Sequence, residues 1–586
     1  MTKDSIQKIG IIGGGPAALF MLKRMAESGL NNISLTIFEA GKEWGNGMPY
    51  SSAGALPEHI TNVSGNEIPQ IVEGIKEWLP QAPAELITAF EITEDNFNDY
   101  KVVPRLFFGT YLSQQFYLLQ QKAGEAGIPL QLLPETRVVD IKDQPGTKQV
   151  TVTTSSGEHY VFDQVIICTG HTWPKLHEGK VPGWFDSPYP PAKLQLQTNF
   201  PVAVKGASLT AIDAIRTLAR QNGHFTKNED HTLTYHPAAT SPQFKLHIHA
   251  IGGLLPAVRF HLHDTRLSKE ELISVEEMQQ ALEQHNGFIP LDHLFDRNFK
   301  KPLQQRNPEF FEKIKDMSME AFVAYAMTLR ETLDPLLLLH AEYREAETSI
   351  RSKQPVDWKE ELATLSYALN YPAKHFSAED MLRLKSVLMP LVSIIIAFVP
   401  QSSVREFMAL HQAGVLTVIP VDHKSRVVPG DEEGATYAYT DEAGNAVEKK
   451  YKVFIDATGQ KPVLFNDFPF KSLKADETVS PAWLKFQSAE KGKAAMEEKK
   501  DTVHTANNQD YYLQLPGVQI NDWFQVLDKY GAANERLYIM AVPLIAGINP
   551  DYSGLDFCER ASEQVMKAIQ KTRDNNGREA IKKTAA

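Results

Sequence analysis

The chain has 586 residues, 42% hydrophobic and 23% charged, which is the composition of a soluble globular protein with core enough for two to four domains. A formal net charge of −12 argues against nucleic acid or an anionic membrane as a partner. Two cysteines, Cys168 and Cys558, lie far apart and exclude both a disulfide framework and a Cys-x-x-Cys redox pair.

The start, "MTKDSIQKIGIIGGG", has no apolar run ahead of a cleavage site. A secretory signal is therefore not expected, the expected compartment is a reducing bacterial-type cytoplasm, and the sequons at Asn32 and Asn62 read as accidental. Residues 8–40 read as a β-α-β unit: "KIGIIGG", then "PAALFMLKRMAESG", then "NISLTIFEA". A helix around "YLSQQFYLLQQKAGEAG" and three β-runs fill 104–170. A second β-α-β unit spans 201–253. Residues 264–385 read as mostly helical, with capping boxes at Ser268-x-x-Glu271 and Ser274-x-x-Glu277. The longest apolar run, "VLMPLVSIIIAFVP", is too short to span a bilayer and contains Pro390, so it reads as a buried segment. The α/β character returns over 404–460. Residues 470–512 are polar and Lys-rich and read as a loop or an extra helix, with "EKGKAAMEEKK" as a solvated face. Strand, loop and helix follow, and the last dozen residues read as frayed. There is no tandem repeat, but the two β-α-β units are a form of duplication.

Gly13-Gly14-Gly15-Pro16-Ala17-Ala18 fits G-x-G-x-x-A between a strand and a helix. Gly13 allows the tight turn, Gly15 lets backbone approach a pyrophosphate, and Ala18 permits close helix–strand packing. The helix start faces the phosphates. Glu39 ends the second strand, where an acid takes ribose hydroxyls. In the second unit, "VAVKGASLTAIDAIRTLA" keeps Gly206 but has Ser208 where the second glycine belongs. Its side chain stands where a backbone approaches a pyrophosphate, although a small hydroxyl can itself donate to phosphate.

"VIICTGHTWP" and "VFIDATGQKP" are strand-to-glycine endings that carry Thr169-Gly170 and Thr458-Gly459. "GLDFCERASEQV" opens the last helix at Gly554-Leu555. Together with "GNGMPYSS", "VPRLFFGTYL", "GGLLPAVR" and "AGVLTVIP", these segments resemble the bacterial FAD/NAD(P)-binding family related to flavin N-hydroxylases and class B flavin monooxygenases. The resemblance covers most of the chain outside about 264–385 and 470–512. It implies FAD at Gly13, Gly15, Pro16, Ala17, Glu39, Arg105, Thr169, Gly170, Thr458, Gly459 and the C-terminal loop. There Gly554 and Leu555 open a helix whose positive end suits the charge of a reduced flavin. It implies NAD(P)H at Gly206 and Ser208. Relatives often carry a Ser-Arg pair after the second strand of that unit. Here Ala250-Ile251 stand there, with His249 or Arg259 as possible substitutes. The nicotinamide site is therefore expected to be weakened or atypical.

Other patterns have plainer readings. His247 and His249 share a strand face, and His261, His263 and Asp264 follow, so a metal is conceivable. Strand histidines lining a surface or pocket are the better account, and no metal is expected. Cys168 and Cys558 read as packing residues. Trp44 and Tyr50 suit either flavin stacking or loop packing. No Gly-x-Ser-x-Gly, His-Glu-x-x-His or Walker pattern occurs.

The expected fold is α/β: a two-dinucleotide-binding-domain flavoprotein with a helical insertion. The expected division is 1–200 for the first part of the FAD-binding domain, 201–263 and 386–460 for the NAD(P)-binding-like domain, 264–385 for the insertion, and 461–586 for the C-terminal part of the FAD-binding domain. The expected function is that of an FAD-dependent oxidoreductase, an N-hydroxylase-like NAD(P)H-dependent monooxygenase using molecular oxygen on a small molecule. Asn549 and Tyr552 are the expected catalytic side chains. Two alternatives stand beside this. One is an oxidase or dehydrogenase reduced by its own substrate, with a vestigial nicotinamide domain. The other is a non-catalytic FAD-binding partner protein. The substrate and the oligomeric state are not legible in the sequence.

Overall fold

The computed structural model describes residues 6–263, 272–498, 501–506, 509–551 and 554–584, with side chains as far as 574. Two parallel sheets organise it. The first module runs β1 (Gln7–Ile12), α1 (Pro16–Glu27), β2 (Ile33–Phe38), α2 (Arg105–Glu125), β3 (Leu130–Leu133), a three-stranded meander over 138–162, and β4 (Gln164–Ile167). The second repeats that plan: β5 (Pro201–Lys205), α3 (Leu209–Gln221), β6 (Lys245–Ile251), then α4 (Asp357–Leu369) within the insertion, α5 (Gln401–Gln412), β7 (Leu416–Val421), a meander over 426–451, and β8 (Val453–Asp456). The chain returns to the first sheet with β9 (Ala533–Ile539) and closes with α6 (Gly554–Thr584), helical through the stretch expected to fray.

Strand order is the same in both modules: β4-β1-β2-β3 and β8-β5-β6-β7. All six of these pairings are parallel. β9 joins β4 in parallel, with strand Gln525–Leu527 antiparallel outside it. Strands covered on both faces must be apolar throughout, as "IGII" and "VII" are. Their residues Ile9, Ile11, Val165, Ile166 and Ile167 are completely buried. In each module the strand order reverses beside the first strand, which opens a crevice at the carboxyl edge between β1 and β4 and between β5 and β8.

Both modules are interrupted at the same point, between the second strand and the helix that follows. In the first the interruption is 39–104. In the second it is 252–400, which holds the helical insertion. Its described helices run from Val275 to Ile395, ten residues beyond the expected limit of 385. Ser274 and Glu277 form the expected capping box, whereas Ser268 and Glu271 fall outside the described residues. The apolar run 387–400 is buried at Leu391, Val392 and Ile395. Among the described residues, no helix is long and apolar enough to cross a membrane.

Residues 470–512 hold more order than a loop or one helix. Strands Pro481–Lys485, Val503–Ala506 and Asp510–Val518 form an antiparallel sheet. The Lys-rich run is helix Ala489–Glu498, laid on that sheet through Gly492, where a Cβ would come within 2.4 Å of Tyr511.

Candidate cofactor and substrate site

The two glycine turns are built alike. Gly13 has φ +105° and Gly206 φ +102°, a region that favours glycine. A Cβ on Gly13 would lie 2.6 Å from the Cys168 carbonyl oxygen, and one on Gly206 would lie 2.9 Å from that of Ala457. The Gly13 N–H donates to the Phe38 carbonyl at 2.8 Å, and the Gly206 N–H to that of His249 at 2.9 Å. Each turn is thus wedged into the crevice of its own sheet. Gly15 caps α1 at φ −84°, ψ −162°, and Ser208 caps α3 at φ −86°, ψ −169°. Any residue adopts that conformation, so the third position needs glycine only for space, whether taken by a ligand or by Gly47, whose Cα would lie 3.2 Å from a Cβ on Gly15. Pro16 opens α1, where its missing N–H costs nothing. Ala18 is completely buried against the sheet.

Glu39 follows β2 directly, and its carboxylate accepts from the N–H of Gly14 at 2.7 Å and of Gly41 at 2.6 Å. The acid is therefore held beside the turn. The matched hydrogen bonds align Ala250 with Glu39 in the second module. Ala250 is buried, and exposed Ile251 follows it. Neither expected substitute reaches that position. Arg259 is buried in the other module's interruption, on the Glu67 carboxylate, the Ser64 hydroxyl at 2.8 Å and the Asn62 carbonyl. His249 stacks on Tyr437 at 3.9 Å. The Tyr451 hydroxyl lies 3.1 Å from His247 Nδ1 and 3.3 Å from His249 Nε2. Burial, then nearby positive charge, lowers the His247 pKa to about 4 and that of His249 to about 3. Among the described residues, no group of three or more His, Cys, Asp and Glu side chains could hold a metal ion; Asp264 lies outside them.

Arg105, which the resemblance assigns to FAD, is committed to the other module. Its guanidinium lies 2.6 Å from the Asp213 carboxylate on α3, and it donates to the Tyr189 hydroxyl at 3.3 Å and the Ile60 carbonyl at 3.2 Å. Tyr189 donates to the same carboxylate at 2.5 Å. Burial opposes the Arg105 charge, but Asp213 outweighs it and holds the pKa above its ordinary value. Next to this pair, buried His59 lies 3.1 Å from the Thr217 hydroxyl, which donates to Glu58 at 3.0 Å. The modules are thus joined through α3 by a buried polar seam.

The linkers between modules leave β4 and β8 at Thr169-Gly170 and Thr458-Gly459. Thr458 turns back on Asp456 at 2.5 Å, and Gly459 has φ +84°. Gln460 clasps the two linkers: its Oε1 accepts from Thr172 N–H at 3.1 Å and lies 2.6 Å from His171 Nδ1, and its Nε2 donates to the Thr172 carbonyl at 3.0 Å.

The C-terminal loop starts from the carboxyl edge of the first sheet, where Met540 N–H donates to the Ile167 carbonyl at 2.8 Å, and leads into α6, whose Glu559 pairs with Lys23 of α1 at 3.5 Å. Gly547 makes its close approach to the Pro516 carbonyl, 2.1 Å from where a Cβ would sit. Of the two readings of Trp44 and Tyr50, the contacts seen are those of loop packing: Trp44 stacks on Phe116 at 5.5 Å and Tyr50 packs edge-on against Phe108. Asn549 is buried and donates to the Asp551 carbonyl at 3.2 Å. Tyr552 lies outside the described residues. Gly554 and Leu555 begin α6, and a Cβ at Gly554 would meet nothing within 4 Å. Cys168 and Cys558 are buried thiols, and burial pushes the Cys558 pKa up to about 12.

The residues fit a dinucleotide in the first module. The turn has the glycines, helix start and strand-end acid such a ligand requires. Buried polar atoms without a partner include Asn46 Oδ1 beside the turn, Trp173 Nε1 in the linker, and Ser366 Oγ and Asn370 Nδ2 on the insertion. Motif reasoning missed these four. Asn46 and Trp173 stand inside quoted motifs, while nothing in the sequence marks Ser366 or Asn370.

The chain is 24% identical over 574 residues to the uncharacterized protein YdhS of Escherichia coli (strain K12), covering 97% of this chain and 98% of that one. Among solved structures it is similar to the ornithine N-hydroxylase of Kutzneria sp. 744 (12% identity, 97% of this chain and 100% of that one, TM-score 0.45). It is also similar to the cadaverine monooxygenase DfoA of Erwinia amylovora (10% identity, 96% and 94%, TM-score 0.43). A third similar structure is the bacillithiol disulfide reductase of Staphylococcus aureus (11% identity, 97% and 99%, TM-score 0.41). Likenesses this distant say nothing of the reaction. Residues 10–172 match the FAD-NAD(P)-binding family model and residues 274–396 the YdhS-like middle domain, so the first module is similar to FAD-NAD(P)-binding domains and the helical insertion of this two-module α/β fold to the YdhS-like middle domain.

Proposed function

We propose that the chain is an FAD-dependent oxidoreductase, and within that class an NAD(P)H-dependent monooxygenase acting on a small molecule. The observation that carries this reading is the duplication of the glycine turn, once in each module, at the carboxyl edge of its own parallel sheet. When bound, the flavin supplies a hydride acceptor for the nicotinamide and a means of splitting molecular oxygen, with one oxygen atom passed to substrate and the other released as water.

The chain's own residues bind, orient and exclude. Gly13 and Gly15 admit the pyrophosphate of FAD to the start of α1, beside Pro16 and Ala17, and Glu39 orients its ribose. Gly206 and Ser208 offer the same cradle to the nicotinamide dinucleotide. Arg105 and Asp213 hold the modules in one orientation, which hydride transfer over a short distance requires. The insertion keeps water from the reacting atoms. Asn549 and Tyr552 remain the proposed side chains for substrate.

Two observations favour a second reading. Buried Ala250 replaces the strand-end acid, and Ser208 fills the approach of the turn. Both suit an oxidase or dehydrogenase whose second module is scaffold. Oxygen consumption by the purified protein separates the two. The monooxygenase reading predicts uptake on adding NADPH or NADH, stimulated by substrate. Uptake with neither nucleotide would remove it.

A further inference from the structure

This inference rests on the flavin reading above. The insertion reaches the flavin-side segment through α4. Asn370, just past its last residue and still helical in φ and ψ, accepts from Asp551 N–H through Oδ1 at 2.8 Å. Tyr367 donates to the Asp556 carbonyl at 3.4 Å. Ser366 lies four residues before Asn370, on the same helical face. Ser366 is 0% exposed and Asn370 8%, yet Ser366 Oγ and Asn370 Nδ2 have no hydrogen-bond partner. Buried donors are costly to leave unpaired, and two on one face call for an acceptor. Three residues beyond Asp551, α6 begins at Gly554, whose first-turn N–H groups lack intrahelical partners. Among the described residues, no atom beyond its chain neighbours and its own helix backbone stands within 4 Å of a Cβ built there. The amide and hydroxyl donors of α4 and the helix-start donors of α6 thus belong to elements joined by the Asn370–Asp551 and Tyr367–Asp556 hydrogen bonds. The acids in that segment, Asp551 and Asp556, oppose a carboxylate as the acceptor and suit a neutral edge that combines carbonyl oxygens with an N–H.

We propose that the Ser366–Asn370 face of α4 binds the pyrimidine edge of the flavin ring, the hydroxyl and the amide donating to its carbonyl oxygens. The YdhS-like insertion then completes the flavin site as well as covering it. Donors at this edge favour the negative charge of the reduced flavin against the repulsion of Asp551 and Asp556. They make the bound flavin easier to reduce than it would be beside those acids alone.

The test uses the full-length yellow protein with Ser366→Ala, Asn370→Asp and the double variant. Asn370→Asp keeps the acceptor for Asp551 N–H and removes the amide donor. Each variant is compared with wild type for FAD retained on dilution, visible absorption bands and midpoint potential. The expected result is a shifted spectrum and a lower potential in each variant, and FAD bound at least tenfold more weakly in the double variant. Ser366→Ala is small enough to fold, so its spectrum alone decides if the others do not. Variants that match yellow wild type in retention, spectrum and potential would overturn the proposal, and a buried water would then be the partner of both groups. A lowered unfolding temperature with an unchanged flavin spectrum would overturn it too. A wild-type protein that neither carries nor takes up FAD would instead remove the flavin reading itself.

Discussion

Gly15 and Ser208 share one backbone conformation, so their difference is purely one of what each side chain obstructs. At Gly15 a Cβ would lie 3.2 Å from Gly47 Cα, a contact the loop absorbs with a small shift. Gly15→Val therefore folds but places a branched side chain where the pyrophosphate arrives. The expected outcome is colourless protein, checked by the ratio of 450 to 280 nm absorbance on the order of zero; full FAD occupancy would contradict the assignment. Ser208 is exposed, and its hydroxyl makes no cap hydrogen bond. Ser208→Gly costs the helix only a few tenths of a kcal/mol and opens the approach, so the dissociation constant for NADPH or NADH should fall. An unchanged value would mean that the ligand does not meet this turn. Gly547 is a different case. Its close neighbour is the Pro516 carbonyl, so Gly547→Ala should lower the unfolding temperature through backbone overlap, measured by calorimetry, with the spectrum of bound FAD unmoved.

At the scale of elements, β6 makes a pH prediction. His247 and His249 are packed neutral under the Tyr437–Tyr451 meander. Their pKa values are depressed on folding to about 4 and about 3. Between those values and the unfolded value of about 6.5 the unfolded chain binds more protons, so stability is full above about 6.5 and is lost as pH falls toward 4 and below. Replacing both histidines, as His247→Gln with His249→Phe, should flatten that slope in urea titrations across the window; a slope unchanged from wild type would contradict the burial argument. The His-x-His pattern was legible in the sequence but its purpose was not, because the tyrosines that enclose it lie about two hundred residues away in the chain. The same limit explains 470–512. Its charge suggested solvent, while the strand Asp510–Val518 that organises it carries Pro516 and Gly517, residues that argue against a strand in isolation. The glycine turns, by contrast, were legible because strand, turn and helix are contiguous.

Across the whole molecule, the repeated module plan was half visible. Two β-α-β units stood out, but the matching interruptions and meanders did not, since the second interruption is a domain of its own. Arg105 shows what a motif leaves out: the residues around it point to a cofactor, and the fold also pairs its guanidinium with Asp213 across the modules. That pair is buried, with side chains 13% and 6% exposed. Asp213→Asn leaves the Arg105 charge uncompensated and should cost about 3–5 kcal/mol, visible as a lower urea midpoint; Asp213→Asn with wild-type stability would show that the seam is slack. The central claim, that two dinucleotides act in concert within this fold, is tested most directly by mixing the yellow protein anaerobically with NADPH and with NADH in a stopped-flow spectrometer. The account predicts rapid bleaching near 450 nm by at least one nucleotide, slowed in Asp213→Asn. A flavin that stays fully oxidised with both nucleotides would contradict it.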